Sequence, residues 1–151
     1  MAPSNLRPAL TALTDALDRR VPFAETLSLD LATFELVVDS TLDDVDRRPK
    51  RAAWEIPPPD GLWEWRVRRD FVRSLPRGTA KTRLGNTLAG PKTRRRFEVT
   101  LAAAGGALLA EFRRARRRRL RAYAARVLRA AVAIGGPVRT QWVDALAPSL
   151  R

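Results

Sequence analysis

The stretch from Ala107 to Ile134 does most to limit the folds open to this chain. No Pro or Gly interrupts it, while Gly105-Gly106 precedes it and Gly135-Gly136-Pro137 follows it. Glycine and proline pairs at both ends of an unbroken run predict one long helix. Within it, Glu111 to Arg121 reads E-F-R-R-A-R-R-R-R-L-R, seven arginines in eleven residues. At about 100° per residue, Phe112, Leu120, Tyr123, Val127 and Ile134 share one narrow face. Arg113, Arg114, Arg117, Arg118 and Arg121 fan over the opposite side. Arg116 and Arg119 fall on the apolar side instead. The run is therefore expected to be one side of a helix built into a folded domain, not a loose basic tail. An unpaired buried arginine costs about several kcal/mol, so Arg116 and Arg119 are expected to meet carboxylates, with Glu98 and Asp70 as candidates.

The charge around this helix is segregated. Residues 1–64 carry 7 basic and 12 acidic side chains, a net −5, and residues 65–151 carry 22 and 4, a net +18. A GC-rich genome would account for 26 Arg against 3 Lys, but codon bias does not sort arginine into one half. A field this one-sided points to a polyanionic partner. The chain has no Cys and no His. That excludes disulfides and thiolate metal sites, and it removes the usual general base and the commonest metal ligand. No cofactor is expected. The N-terminal stretch lacks the order of a signal peptide. The longest weakly polar run, Val99 to Ala110, is short of the about 20 residues a membrane span needs. The default location is the cytoplasm of a prokaryote.

Along the chain, Leu6, Leu10, Leu13 and Leu17 mark a first helix, with Ser4 or Asn5 as its cap. Leu27, Leu29 and Leu31 alternate with polar residues, and Leu36 and Val38 resume that strand period after Ala32-Thr33. Ser40 to Arg51 reads as loop, and Trp54 and Ile56 begin a third short strand. Pro57-Pro58-Pro59-Asp60-Gly61 stops it. From there the period is helical. Trp63, Val67, Phe71 and Leu75 form one stripe, ended by Pro76 and Gly78. Ala80, Leu84 and Leu88 form the next, ended by Gly90-Pro91, and Phe97, Leu101 and Ala104 a third. The expected fold is α+β: an N-terminal helix and a small antiparallel β-hairpin or three-stranded sheet, then a C-terminal helical bundle with one long basic helix. One domain over 1–151 is expected, with 136–151 as a short C-terminal tail helix.

Three stretches together resemble an uncharacterised bacterial protein family, UPF 0158. Leu29-Asp30-Leu31-Ala32-Thr33-Phe34-Glu35 is similar to its L-D-L-x-T-G-E hairpin. Arg66-Val67, Asp70-Phe71-Val72 and Ser74-Leu75 are similar to its R-L-x-x-D-F-I-x-S-L helix. Gly90, Arg95-Arg96-Phe97 and Leu101 are similar to G-K-G-A-F-R-R-F-K-x-x-L. Phe34 replaces the hairpin glycine, Lys92 and Arg94 replace a Gly and a Phe, and Phe112 and Val127 stand where tryptophans are expected. The resemblance runs from about Leu6 to Arg129. It implies a fold and brings no activity with it.

Two clusters are candidate nucleic-acid contacts. Arg113, Arg114, Arg117, Arg118 and Arg121 on the long helix could meet successive phosphates, with the bidentate geometry that arginine offers better than lysine. The alternative is a solvated helix face. Arg94, Arg95 and Arg96, near Lys92 and Lys81, open a helix whose N-terminus already favours anions. Cations there are unfavourable without one. The segment Gly85 to Thr93 resembles a G-x-x-x-x-G-K-T phosphate loop, but Pro91 is one residue too many and no strand precedes it. It reads as a connection between helices. Asp39, Asp43, Asp44 and Asp46 match no calcium loop, so no metal site is expected and a basic surface is their more natural partner. Trp65, beside Arg66, Arg68 and Arg69, either stacks on a base or packs against the sheet.

The expected function is non-enzymatic nucleic-acid binding, RNA slightly before DNA because arginine-rich helices suit RNA. The alternative is a protein-interaction module whose basic face docks on an acidic protein or on a second copy. Membrane binding ranks below both, because Arg116 and Arg119 break the apolar side of the long helix.

Overall fold

The computed structural model describes residues 6–19, 25–30, 36–40 and 53–134. The N-cap candidates Ser4 and Asn5, residues 31–35, and all but Ser40 of the segment Ser40 to Arg51 read as loop lie outside the described residues. So do Asp43, Asp44 and Asp46, and the tail expected as a helix at 136–151. The described elements are α1 (Leu6–Asp18), β1 (Glu25–Asp30), β2 (Leu36–Ser40), β3 (Ala53–Glu55), α2 (Trp63–Ser74), α3 (Thr79–Asn86), α4 (Thr93–Ala103) and α5 (Gly106–Ile134). The helices have 13, 12, 8, 11 and 29 residues against 6, 5 and 3 for the strands, so the described residues are mostly helical. The three short strands pair as the small antiparallel sheet expected from sequence, and the helices make up the larger part. The strand-forming pattern is short, and the proline run at 57–59 ends it. Where strands do pair, β1 lies between β2 and β3 and runs antiparallel to both.

By contacts the chain divides into two compact units, Met1–Pro58 with Leu120–Arg151, and Pro59–Arg119. The division falls within α5, whose residues up to Arg119 belong to the second unit and those from Leu120 to the first. A 29-residue helix is about 43 Å long at 1.5 Å per residue, more than one small core covers. In the first unit Leu10 and Leu13 of α1, Leu27 and Leu29 of β1, and Ile56 are buried with Ala124, Ala125, Val127, Leu128 and Ala131 of α5. Ile56 donates its backbone N–H to the Leu27 carbonyl at 2.8 Å, which extends the pairing of β3 by one residue. Tyr123 is half-buried, and its hydroxyl donates to the Pro57 carbonyl at 2.5 Å.

The second unit is built on the stripes read from sequence. Val67, Phe71 and Leu75 of the α2 stripe are buried with Val72, Leu84, Phe97, Leu101 and Phe112. Phe112 sits between two rings, with its centroid 5.1 Å from those of Phe71 and Phe97. The breaker before α2 also starts it. The Asp60 carbonyl accepts from the Trp63 N–H at 2.9 Å and its carboxylate from the Leu62 N–H at 2.9 Å. Thr79 opens α3 after Gly78, and Leu75 leaves α2 in an extended conformation, as a residue before proline prefers. Ala104, read as part of the α4 stripe, lies just past its end and is exposed.

Candidate nucleic-acid interface

The second unit, Pro59–Arg119, holds 17 basic and 5 acidic residues, so it carries +12 of the chain's +13. Most of its carboxylates are spent internally. Arg116 lies over α2 and reaches Glu64, Nη2 to Oε1 at 2.7 Å, with both side chains largely buried. Its guanidinium also sits 5.8 Å from the Trp63 ring centre. Arg119 pairs with Asp70 at 2.7 Å, and Arg69 bonds the same carboxylate at 2.9 Å. Burial pushes the Asp70 carboxyl up, but these two arginines outweigh it and hold it below its ordinary value. Asp60 is also held low, chiefly by the hydrogen bond from Arg66. Glu98 is taken by Arg94 one helical turn away, at 3.1 Å.

Both arginines read as inward meet carboxylates, but only Arg116 is partly buried; Arg119 is exposed, so its inward place is corrected. Asp70 serves Arg119 as read from sequence. The partner of Arg116 is Glu64 and not Glu98, because Glu98 lies on the exposed side of α4. The arginines read as outward separate into two groups. Arg113, Arg114, Arg117 and Arg118 are exposed on the α5 segment of the second unit. Arg121 is half-buried and belongs to the first unit, so its place on an outward fan is corrected.

The Arg94–Arg96 cluster also divides. Arg94 is the partner of Glu98. Arg96 donates to two carbonyls, Ala89 at 3.0 Å and Asn86 at 3.2 Å, and so closes the C-terminal end of α3. Arg95 is exposed and makes no ion pair or hydrogen bond among the described residues. These contacts form because the connection after α3 turns sharply. Gly90 has φ +81°, and Lys92, the N-cap of α4, is left-handed at φ 54° and ψ 34°. The first turn of α4 has neither an acidic residue nor a side-chain cap.

That fold-back makes a groove of about 580 Å³ lined by Arg83, Asn86, Lys92, Arg95, Arg96 and Thr100, among others. Neither Arg83 nor Asn86 stands out in the sequence. Asn86 lies in the near-miss phosphate loop, which does mark the turn, but only the turn's backbone tells which α3 residues face α4. Thr79 to Asn86 is helical, so the loop reading fails on geometry as well as on Pro91.

Trp65 follows neither of its two expected courses. Its indole Nε1 donates to the Leu88 carbonyl at 3.1 Å, and the Arg69 guanidinium lies 5.1 Å from its ring centre. It packs on the connection after α3, inside the second unit. Arg68 is buried, donates from Nε to the Glu64 carbonyl at 3.0 Å, and has its guanidinium 6.0 Å from the Phe97 ring centre. A cation beside an aromatic ring is attracted by the ring's quadrupole.

Among the described residues no three or more Asp and Glu side chains gather as a metal site, and no helix is long and apolar enough to cross a membrane. No family model matches the chain, and no characterised protein and no solved structure is detectably similar to it.

Proposed function

We propose that this chain is a non-enzymatic nucleic-acid-binding protein, RNA favoured over DNA, working in the cytoplasm. The observation that supports this reading most is the excess of +12 in Pro59–Arg119, where Asp60, Glu64, Asp70 and Glu98 are already engaged by arginines of the same unit. The remaining cations have few internal carboxylates left to meet. Arg113, Arg114 and Arg118 present donors on the exposed side of α5, and Lys92 and Arg95 add charge at the start of α4. Arg94 and Arg96, engaged internally, contribute less than the sequence suggested. Phosphate contacts of this kind carry affinity and little sequence preference. The resemblance to UPF 0158 concerns the fold alone.

The test is a titration of the protein against labelled RNA and DNA over a range of salt. Six to ten phosphate contacts lose about 10³–10⁵ in affinity between about 50 and 200 mM salt. Absence of binding at low salt, or binding with no salt slope, overturns the proposal. A salt-labile dimer in nuclease-treated material would instead favour docking on a second copy. The ratio of absorbance at 260 and 280 nm, for protein purified without nuclease, gives an independent check.

A further inference from the structure

The groove between α3 and α4 has two ends of different chemistry. At one end Arg83, Lys92, Arg95 and Arg96 converge, and no carboxylate lines it. The side chains of Arg83, Lys92 and Arg95 make no ion pair or hydrogen bond among the described residues, whereas the Arg96 guanidinium is held on its two carbonyls. Three unpaired cations beside the uncapped N-terminus of α4 repel one another and oppose the helix dipole, an arrangement that an anion relieves. Arg83, Val99 and Thr100 then lead into an adjoining hollow of about 390 Å³, whose other walls are Thr79, Ala80, Ala103 and Ala104. That end holds hydroxyls, methyl groups and Val99, which is 63% exposed. Lys92 adds a separate sign. It holds a left-handed backbone that costs a side-chain-bearing residue energy and costs glycine none, and such strain collects at functional positions.

We infer that this groove takes one unpaired nucleotide of a single-stranded nucleic acid, its phosphate among Arg83, Lys92 and Arg95 and its nucleoside in the hollow beyond. This rests on the proposed nucleic-acid binding and names the form of nucleic acid recognised. A lone phosphate would leave the second hollow empty. A duplex keeps its bases paired and would offer the groove only backbone. Arg83 lies on both hollows, where its guanidinium bonds the phosphate or stacks on the base. The Asn86 amide at the rim offers a donor and an acceptor to the sugar or the base edge.

The experiment measures fluorescence anisotropy of a labelled single-stranded oligonucleotide, with and without its complementary strand. The proteins are the full-length wild type, Arg83→Ala, Arg95→Ala and the control Arg77→Ala, an exposed arginine outside the groove. Thermal melts confirm that each variant is folded. The wild type is expected to prefer the single strand to the duplex. Arg83→Ala and Arg95→Ala are each expected to weaken single-strand binding about tenfold, as loss of a charge-assisted contact does. The salt slope of Arg95→Ala should fall by about 0.7. Arg77→Ala should stay within about twofold of the wild type. Equal binding of duplex and single strand, or groove variants no weaker than Arg77→Ala, overturns the groove assignment and leaves nucleic-acid binding standing. A wild type that binds neither strand at low salt overturns the nucleic-acid reading itself.

Discussion

The two units of this chain use the same helix differently. In the first, α5 buries Ala124, Ala125, Leu128 and Ala131 fully, small or aliphatic side chains that let other elements approach closely. In the second, the same helix buries Phe112 against two aromatic rings and flanks it with Arg116 and Arg119, each on a carboxylate of α2. The first seam is held by area and shape. The second is a narrow aromatic seam bordered by ion pairs. A segment with seven arginines in eleven residues can therefore stay in a fold. Arg116 is held on Glu64 and Arg119 on Asp70, while Arg113, Arg114 and Arg118 stay exposed.

The largest expected effect tests whether rings or charges hold the second unit. Phe97 is fully buried, stacks near Phe112 and lies beneath the Arg68 guanidinium. Phe97→Ala should cost about 3–5 kcal/mol in chemical denaturation. A loss below about 1 kcal/mol would mean that the ion pairs carry the unit and would break the comparison. Next comes the Glu64–Arg116 pair. Glu64→Ala or Arg116→Ala should each cost about 1–3 kcal/mol, because each leaves the other charge partly buried without this partner. The double variant Glu64→Leu/Arg116→Met should recover much of that, since replacing both partners by apolar groups removes the stranded charge. Singles that cost nothing would make the pair incidental.

The sequence carried the helices well because their apolar stripes have a strong period and sharp ends. Val67, Phe71 and Leu75, then Leu84, then Phe97 and Leu101 are buried as the spacing requires. It also carried the inward turn of Arg116 and the pairing of Arg119 with a carboxylate, although Arg119 itself is exposed. It could not carry the choice of Glu64 over Glu98, because a partner 52 residues away is set by which helices meet. Nor could it show that α5 serves two cores, because the length of a pattern says nothing about what covers it. At the candidate site the arginine triplet 94–96 was visible as composition. Its division into an ion pair, a carbonyl clamp and an unpaired cation depends on two left-handed residues around Pro91.

A smaller effect has the opposite sign. Lys92→Gly relieves the left-handed backbone, worth about 1–2 kcal/mol for a residue with a side chain, and gives some back in unfolded-chain entropy. A net gain of about 0.5–1 kcal/mol is expected, with weaker polyanion binding. Lys92→Gln should lose binding without the gain in stability. Thermal melts and anisotropy on both variants separate strain from charge. A Lys92→Gly protein that is less stable than wild type would remove the strain argument.

The smallest effect follows from Asp70. Its folded value is held below the ordinary 3.8, so the bound form in the fold is the carboxylate. Its contribution is then complete above 3.8 and is lost as pH falls through the lower folded value. Arg119 is half exposed, so solvent screening limits the contribution to about 0.5–1 kcal/mol. Denaturation midpoints should therefore drop between about pH 5 and pH 2 in the wild type, and drop less in Asp70→Asn. Asp60 is lowered in the same direction by Arg66, so an Asp60→Asn background removes its share of the slope. Amide hydrogen exchange gives the comparison its residue-level form. The Asp70–Arg119 contact joins α2 to α5 within the second unit, so protection lost to acid through this contact should fall in α2 while α1 keeps its own. Equal losses in α1 and α2, unchanged by Asp70→Asn, would mean that this ion pair does not distinguish the two ways α5 is held.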